Sequence, residues 1–285
     1  MFVATSVWGT RCARSISRIA AARSLTFLSI ILAAALGGLP YAALGAPISY
    51  GSFTGTTVDY NNVTEDTTTG DFLPLFGTPV VSANSIDFNP VGFDAETSGA
   101  GGSDDTGARL TFAIQAHAGS AISNITFSEA GDTTLGGAGT DLTSTRVTAA
   151  GTLTINAVDG APVAPIVRPI ALTFTPSGGD YGLTSDGGGL PIFHTQWTGS
   201  AAVNVAQILT SAGVPFSFGA TNVSIDLVNG LEARSQAGTS ALINKNDFGG
   251  ISITVNIPEP ASGVLLAAGL AGLLVTGRRP KSPRI

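Results

Sequence analysis

The chain has 285 residues and a formal net charge of -6, a figure that averages over segments of opposite sign. Residues 46–257 hold 18 acidic side chains against five basic ones (Arg109, Arg146, Arg168, Arg234 and Lys245), a net -13 that repels phosphate backbones and excludes nucleic acid as a partner. A single cysteine, Cys12, and two histidines, His117 and His194, exclude the thiol-protease, zinc-finger and disulfide-scaffold classes.

At the N-terminus, Arg11, Arg14, Arg18 and Arg23 precede an apolar stretch from Leu25 to Leu39 and then small residues around Ala43 to Ala46. This order predicts a secretory signal helix over residues 1–45 with a long basic region, cut by signal peptidase. Cleavage after Gly45 puts Ala43 and Gly45 at the two small-residue positions and keeps Pro47 from becoming the first mature residue. The alternative is an uncleaved anchor.

From residue 46 to 257 alternation of period two recurs and helical periodicity hardly appears, the pattern of half-buried strands. Ala108, Leu110, Phe112, Ile114 and Ala116 point one way, and Arg109, Thr111, Gln115 and His117 the other. The same alternation marks Leu153 to Ala157, Ile170 to Phe174, Val223 to Leu227 and Ile251 to Ile257. Weaker strands are predicted at 48–53, 80–88, 122–127, 192–197 and 216–218. Loops rich in Gly, Asp, Thr and Ser are predicted at 98–105, 131–141 and 177–189, and one short helix at 201–212. Strands separated by turn signals, without alternating helices, predict one all-β domain, an antiparallel two-sheet sandwich of jelly-roll or immunoglobulin-like topology. A body of this length is large enough to hold a core without disulfides.

The chain then changes character. Pro258 and Pro260, flanking Glu259, fix their own backbone angles and lack an N–H, so the preceding strand must stop and no helix begins before Ala261. Ala261 to Thr276 is an apolar run of 16 residues, just under the ~17–25 that span a bilayer, and predicts a short transmembrane helix over 261–277. Arg278, Arg279, Lys281 and Arg284 follow it, which by the positive-inside rule leaves the C-terminus in the cytoplasm and the body outside.

Residues 258–285 resemble the PEP-CTERM sorting signal of bacterial exported proteins. Pro258, Glu259 and Pro260 match its recognition triplet, Gly269 to Gly272 its small and apolar helix pattern, and Arg278 and Arg279 its basic stop. The tail departs from the pattern in lacking an aromatic residue soon after the triplet and in running on to Ile285. The resemblance implies recognition by an exosortase, a membrane-embedded cysteine transpeptidase, which removes the helix and leaves the body in an exopolysaccharide-rich envelope.

Chemistry-bearing motifs in the body are sparse: Gly-x-Ser-x-Gly, His-Glu-x-x-His, the Walker loop and Gly-x-Gly-x-x-Gly are all missing. His117 falls on the polar face of its strand and reads as a solvated side chain. His194 lies in PIFHTQW, where Trp197 and Phe193 form either a shallow sugar-stacking site or, the preferred reading, core packing. Calcium takes hard oxygen ligands from flexible loops, and the weak candidate pairs are Asp104 with Asp105, Asp132 with Asp141, and Asp180 with Asp186. None has EF-hand spacing, acidic turns that keep an exported surface soluble are the plainer reading, and no cofactor is expected. Glu65, Glu96, Glu129 and Glu232 are the glutamates available to a pair of hydrolytic carboxylates. The expectation is therefore a non-enzymatic, exported envelope or extracellular-matrix protein. A carbohydrate-binding or calcium-dependent adhesion module is the first alternative, and a secreted polysaccharide hydrolase the second.

Overall fold

The computed structural model describes residues 46–246 and the backbone of residues 251–256. In chain order the strands are β1 (Ile48–Thr54), β2 (Val58–Thr67), β3 (Val80–Ser82), β4 (Ser85–Phe88), β5 (Asp94–Ser98), β6 (Gly102–Ala116) and β7 (Asn124–Gly137). They continue with β8 (Ser144–Val158), β9 (Ala161–Ala171), β10 (Thr173–Thr175), β11 (Asp180–Gly182), β12 (Ile192–Asn204), β13 (Ala220–Ser235), β14 (Thr239–Lys245) and β15 (Ile251–Asn256). The signal segment with Ala43 and Gly45, the triplet Pro258, Glu259 and Pro260, the 261–277 helix and Arg278 and Arg279 lie outside the described residues.

All pairings are antiparallel and form two sheets. In the first, strands run β1-β2-β6-β13-β8-β11, with β9 also on β8; in the second, β10-β12-β7-β15-β4-β3, with β14 joining β7 to β5. One core lies between them, because each long strand turns one alternate row inward. From β13 that row is Val223, Ile225, Leu227, Leu231 and Ala233; from β6 it is Leu110, Phe112 and Ile114; from β7, Ile125, Phe127 and Leu135. Burying such rows removes apolar surface from water at roughly 25 cal/mol per Å².

The ends of the strands depart from the sequence reading in instructive ways. Residues expected as loops at 98–105 and 131–141 are largely strand, since β6 begins at Gly102 and β7 runs to Gly137. Gly131, which reads as a turn signal, is there for close approach. A Cβ on Gly131 would lie 2.0 Å from the Asn244 carbonyl oxygen and 2.3 Å from the Trp197 ring. The stretch Ile170 to Phe174, one strand by alternation, divides at Leu172: β9 belongs to the first sheet and β10 to the second. The helix is shorter than expected, Val205–Ser211, because residues 201–204 stay paired to β7 through Ala201↔Phe127 to Asn204↔Asn124. Asn204 caps it, its side chain accepting from the Gln207 N–H at 2.8 Å. Residues 216–218 are not a strand.

One edge of the first sheet is β9, which carries Pro162, Pro165 and Pro169 and, among the described residues, pairs only with β8. Proline cannot donate to a further ladder, so this edge resists pairing with another chain. A different anchor holds residues 68–79. Glu65 is fully buried on β2 and accepts from the backbone N–H of Leu75 at 2.5 Å and Phe76 at 3.1 Å, and from the Tyr50 hydroxyl.

Replacing Gly131 by alanine forces its new methyl into the Asn244 carbonyl and the Trp197 ring, and overpacking of this kind costs typically about 1–3 kcal/mol. Urea denaturation of Gly131→Ala is expected to show that loss, with an unchanged midpoint counting against the packing described.

Candidate functional site

The outward face of the first sheet carries rows of small polar and charged residues, because each inward apolar row leaves its alternate residues facing solvent. One row crosses four strands as Asp180↔Arg146↔Glu232↔Asp105, and the next passes through Ser144↔Arg234↔Ser103. Arg146 Nε lies 3.1 Å from Asp180 Oδ1, Arg234 pairs with Glu232, and farther along the face Arg109 grips Asp226 with two nitrogens, Nε to Oδ1 at 2.7 Å. Three of the five basic residues of the body thus stand on this face, each matched to a carboxylate.

Depressions follow these rows. One of about 410 Å³ is lined by Ser144, Arg146, Asp180, Glu232 and Arg234. It shares Arg146 and Glu232 with a second of about 240 Å³ whose lining includes Gly107 and Gly230. A third, also about 410 Å³, lies farther along among Thr111, Thr152, Thr154, Ser224 and Asp226. The face therefore offers guanidinium donors, carboxylate acceptors and hydroxyls within a shallow trough. Such a surface suits an uncharged, hydroxyl-bearing ligand better than an anion, since every arginine already has its counter-charge.

The ligand candidates His194 and Trp197 stand on opposite faces of β12, and Trp197 takes the core position that is the preferred reading of its segment. His194 points outward from β12, exposed, with Nδ1 2.9 Å from the Thr134 hydroxyl. Trp197 points inward and is 1% exposed, edge-on to Phe174 with ring centroids 5.8 Å apart. Its indole therefore packs the core and offers no face to a ligand. His117 is not simply solvated: Nε2 lies 3.1 Å from Asp59 Oδ1, with both side chains about two-thirds covered.

The aspartate pairs do not converge. Asp104 and Asp105 are successive residues of β6 and point to opposite faces, Asp104 accepting from the Glu96 N–H at 2.8 Å. Asp132 binds the Asn246 side-chain amide at 3.1 Å, while Asp141 takes the Thr184 N–H at 2.7 Å and the Ser185 N–H at 2.9 Å. Asp180 faces Arg146, and Asp186 accepts from the Gly182 N–H at 2.7 Å. Among the described residues, no group of three or more His, Cys, Asp or Glu side chains is placed to hold a metal ion. Several aspartates instead join distant loops. The clearest is Asp159, in the β8–β9 turn, which accepts from the N–H groups of Ser217, Phe218 and Gly219 at 2.6–2.9 Å.

Inside the sandwich lies a polar group that no sequence motif marks. Glu129 on β7 and Lys245 on β14 pair with their side chains 1% exposed, and Lys245 Nζ also donates to Asn229 Oδ1 on β13 at 3.0 Å. The Phe93 and Trp197 rings flank the amine, with centroids 5.2 and 5.3 Å from Nζ. Glu129 Oε1, Asn229 Nδ2 and Trp197 Nε1 are buried without a hydrogen-bond partner among the described residues. Burial pushes the Lys245 amine below the ordinary lysine range, with Glu129 opposing the shift. Alternation alone carried the signal: Glu129 is in phase with Ile125 and Phe127, Asn229 with Leu227 and Leu231, and Lys245 with Ala241 and Ile243. The remaining glutamates serve elsewhere, Glu65 under its loop, Glu96 on β5 and Glu232 beside Arg234.

Comparison of the chain with protein-family models and with curated proteins gives no match.

Two solution measurements follow from the aspartates. Hydrogen bonds hold Asp141 and Asp159 below the ordinary aspartate value of 3.8, and Asp59 is lowered by its bond from His117. The folded state then binds fewer protons than the unfolded chain in acid, so their stabilisation is complete above the ordinary value and is lost as pH falls through the lowered ones. Melting temperature should be flat from neutral pH to about 5 and fall below about 4, and Asp159→Asn should make that acid limb shallower. Chelation, by contrast, is expected to leave the melting temperature in calcium unchanged, because the candidate aspartates are dispersed; a rise on adding calcium would contradict this.

Proposed function

We propose that this is an exported, non-enzymatic envelope or extracellular-matrix protein, whose all-β body is delivered by an N-terminal signal and sorted through the C-terminal PEP-CTERM signal. The observation that carries the reading is the agreement between chain segments and fold. The first strand opens at Ile48, just past the proposed cleavage site after Gly45, and the last closes at Asn256, just before Pro258. In this reading Pro258, Glu259 and Pro260 are recognised by an exosortase-type transpeptidase, Arg278 and Arg279 set the membrane orientation, and the sandwich, of jelly-roll or immunoglobulin-like topology, is the mature product. Its acidic, disulfide-free composition suits a soluble domain outside the cell, stabilised by its core.

Mass spectrometry of both termini of the protein taken from membrane, surface and medium fractions tests this. The expected product begins at Ala46 and lacks everything beyond the triplet. Recovery of residues 261–285 in the membrane fraction would make the chain a permanently anchored protein and overturn the sorting proposal.

The polar trough on the first sheet favours a second reading, a carbohydrate-binding module for an uncharged glycan. The binding groups would be Arg146, Arg234 and their carboxylate partners, not Trp197. On a glycan array, the paired change Arg146→Ala and Arg234→Ala is expected to weaken binding about tenfold or more, which is ~1.4 kcal/mol, while Trp197 affects only stability. A native protein that binds nothing on the array would sink this reading.

A further inference from the structure

The buried group between the sheets is chemically unusual for a structural ion pair. A lysine ammonium has three donors to satisfy, yet among the described residues only Glu129 and Asn229 accept from Lys245, and one oxygen of Glu129 and the amide nitrogen of Asn229 have no partner there. Asn229 and Lys245 are 0% and 4% exposed, so water does not complete the set from outside. Buried charges with leftover hydrogen-bonding capacity are costly, and each such group in a folded protein calls for an explanation.

The arrangement is also that of a reaction. An amine, a carboxamide and a carboxyl group are held together in a buried site walled by the Phe93 and Trp197 rings, with Lys245 Nζ 3.0 Å from the oxygen of the Asn229 amide. We propose that Lys245 and Asn229 become joined by an intramolecular amide bond, a side-chain cross-link from β14 of one sheet to β13 of the other, with Glu129 as the catalytic proton acceptor.

In this reaction Glu129 takes one proton from the Lys245 ammonium, leaving a neutral amine. Its lone pair forms a bond to Asn229 Cγ. The tetrahedral intermediate then collapses: the Cγ–Nδ2 bond breaks, its electron pair leaves with nitrogen, and a second amine proton passes to Nδ2. Ammonia departs, the third proton remains on the new amide nitrogen and Glu129 is left protonated. Bonds and charges balance without an oxidant, a reductant or a second substrate. Burial favours the neutral amine that the attack requires, and close placement of the reactants replaces the usual need for activation of the amide. Completion removes the charge pair from the interior and the unpartnered amide nitrogen with it. The product is a covalent link in an exported body that has no cysteine.

Intact-mass measurement of the full chain, or of its processed form, is expected about 17 Da below the sequence mass, one ammonia lost per molecule. Tryptic mapping should show no cut after Lys245, and the peptide ending at Arg234, which carries Asn229, attached to the one beginning at Ser235. Glu129→Gln and Lys245→Met should each restore the full mass. A native protein of full sequence mass, cleaved after Lys245 into two separate peptides, overturns the proposal, as does an ammonia loss that maps elsewhere. The native peptide map decides the matter even where a variant fails to fold.

Discussion

Glu129, Asn229 and Lys245 occupy inward positions on three strands that would otherwise carry apolar residues, and they reach one another across the space between the sheets. This meeting constrains the sandwich more strictly than apolar packing does. Hydrophobic rows tolerate small slides, whereas a buried charge displaced from its partner is left uncompensated at a cost of several kcal/mol. A slip of two residues in β7, β13 or β14 keeps every side chain on its proper face and still separates the group. Register and the pairing of the two sheets are therefore tied to the same few atoms.

Around that group, packing follows from it. Lys245 lies opposite Gly131 in the β7–β14 ladder, and Gly131 leaves the space into which the Trp197 ring fits. Trp197 in turn packs edge-on against Phe174 of β10, close to where the chain passes from one sheet to the other. The outside is held differently. Aspartates bind backbone N–H groups of loops far away in sequence, as Asp141 does at 184–185 and Asp159 at 217–219. The acidity of the body is thus partly structural, with carboxylates acting as fixed acceptors at loop junctions.

Much of the fold was legible in the residues. Alternation located β6, β8, β13 and β15, because strands buried on one face must carry period-two hydrophobicity. It missed β2, where Asn61 and Asn62 interrupt the phase at an irregularity in the pairing with β6, and it took the glycine-rich end of β7 for a loop. Glycine looks the same in a sequence whether it serves a turn or makes room for a ring, and only the neighbour across the sheet tells the two apart. The candidate sites were less legible. Trp197 packs the core, as preferred from its segment, but aspartate pairs chosen for proximity in the chain turned toward different partners.

What the sequence by itself determined is the class of the body, an all-β antiparallel domain with an acidic surface and no disulfides, since periodicity, charge and cysteine count are properties of the chain alone. The proposed export and sorting segments rest on the same kind of linear order. The tertiary structure decided which strands share a sheet, that Arg109, Arg146 and Arg234 stand together on one face, and that Glu129, Asn229 and Lys245 meet in the core. Those facts depend on contacts between residues far apart in the chain, such as Arg109 with Asp226, 117 positions away, and a one-dimensional pattern of hydrophobicity records which way a side chain faces but not what it will find there.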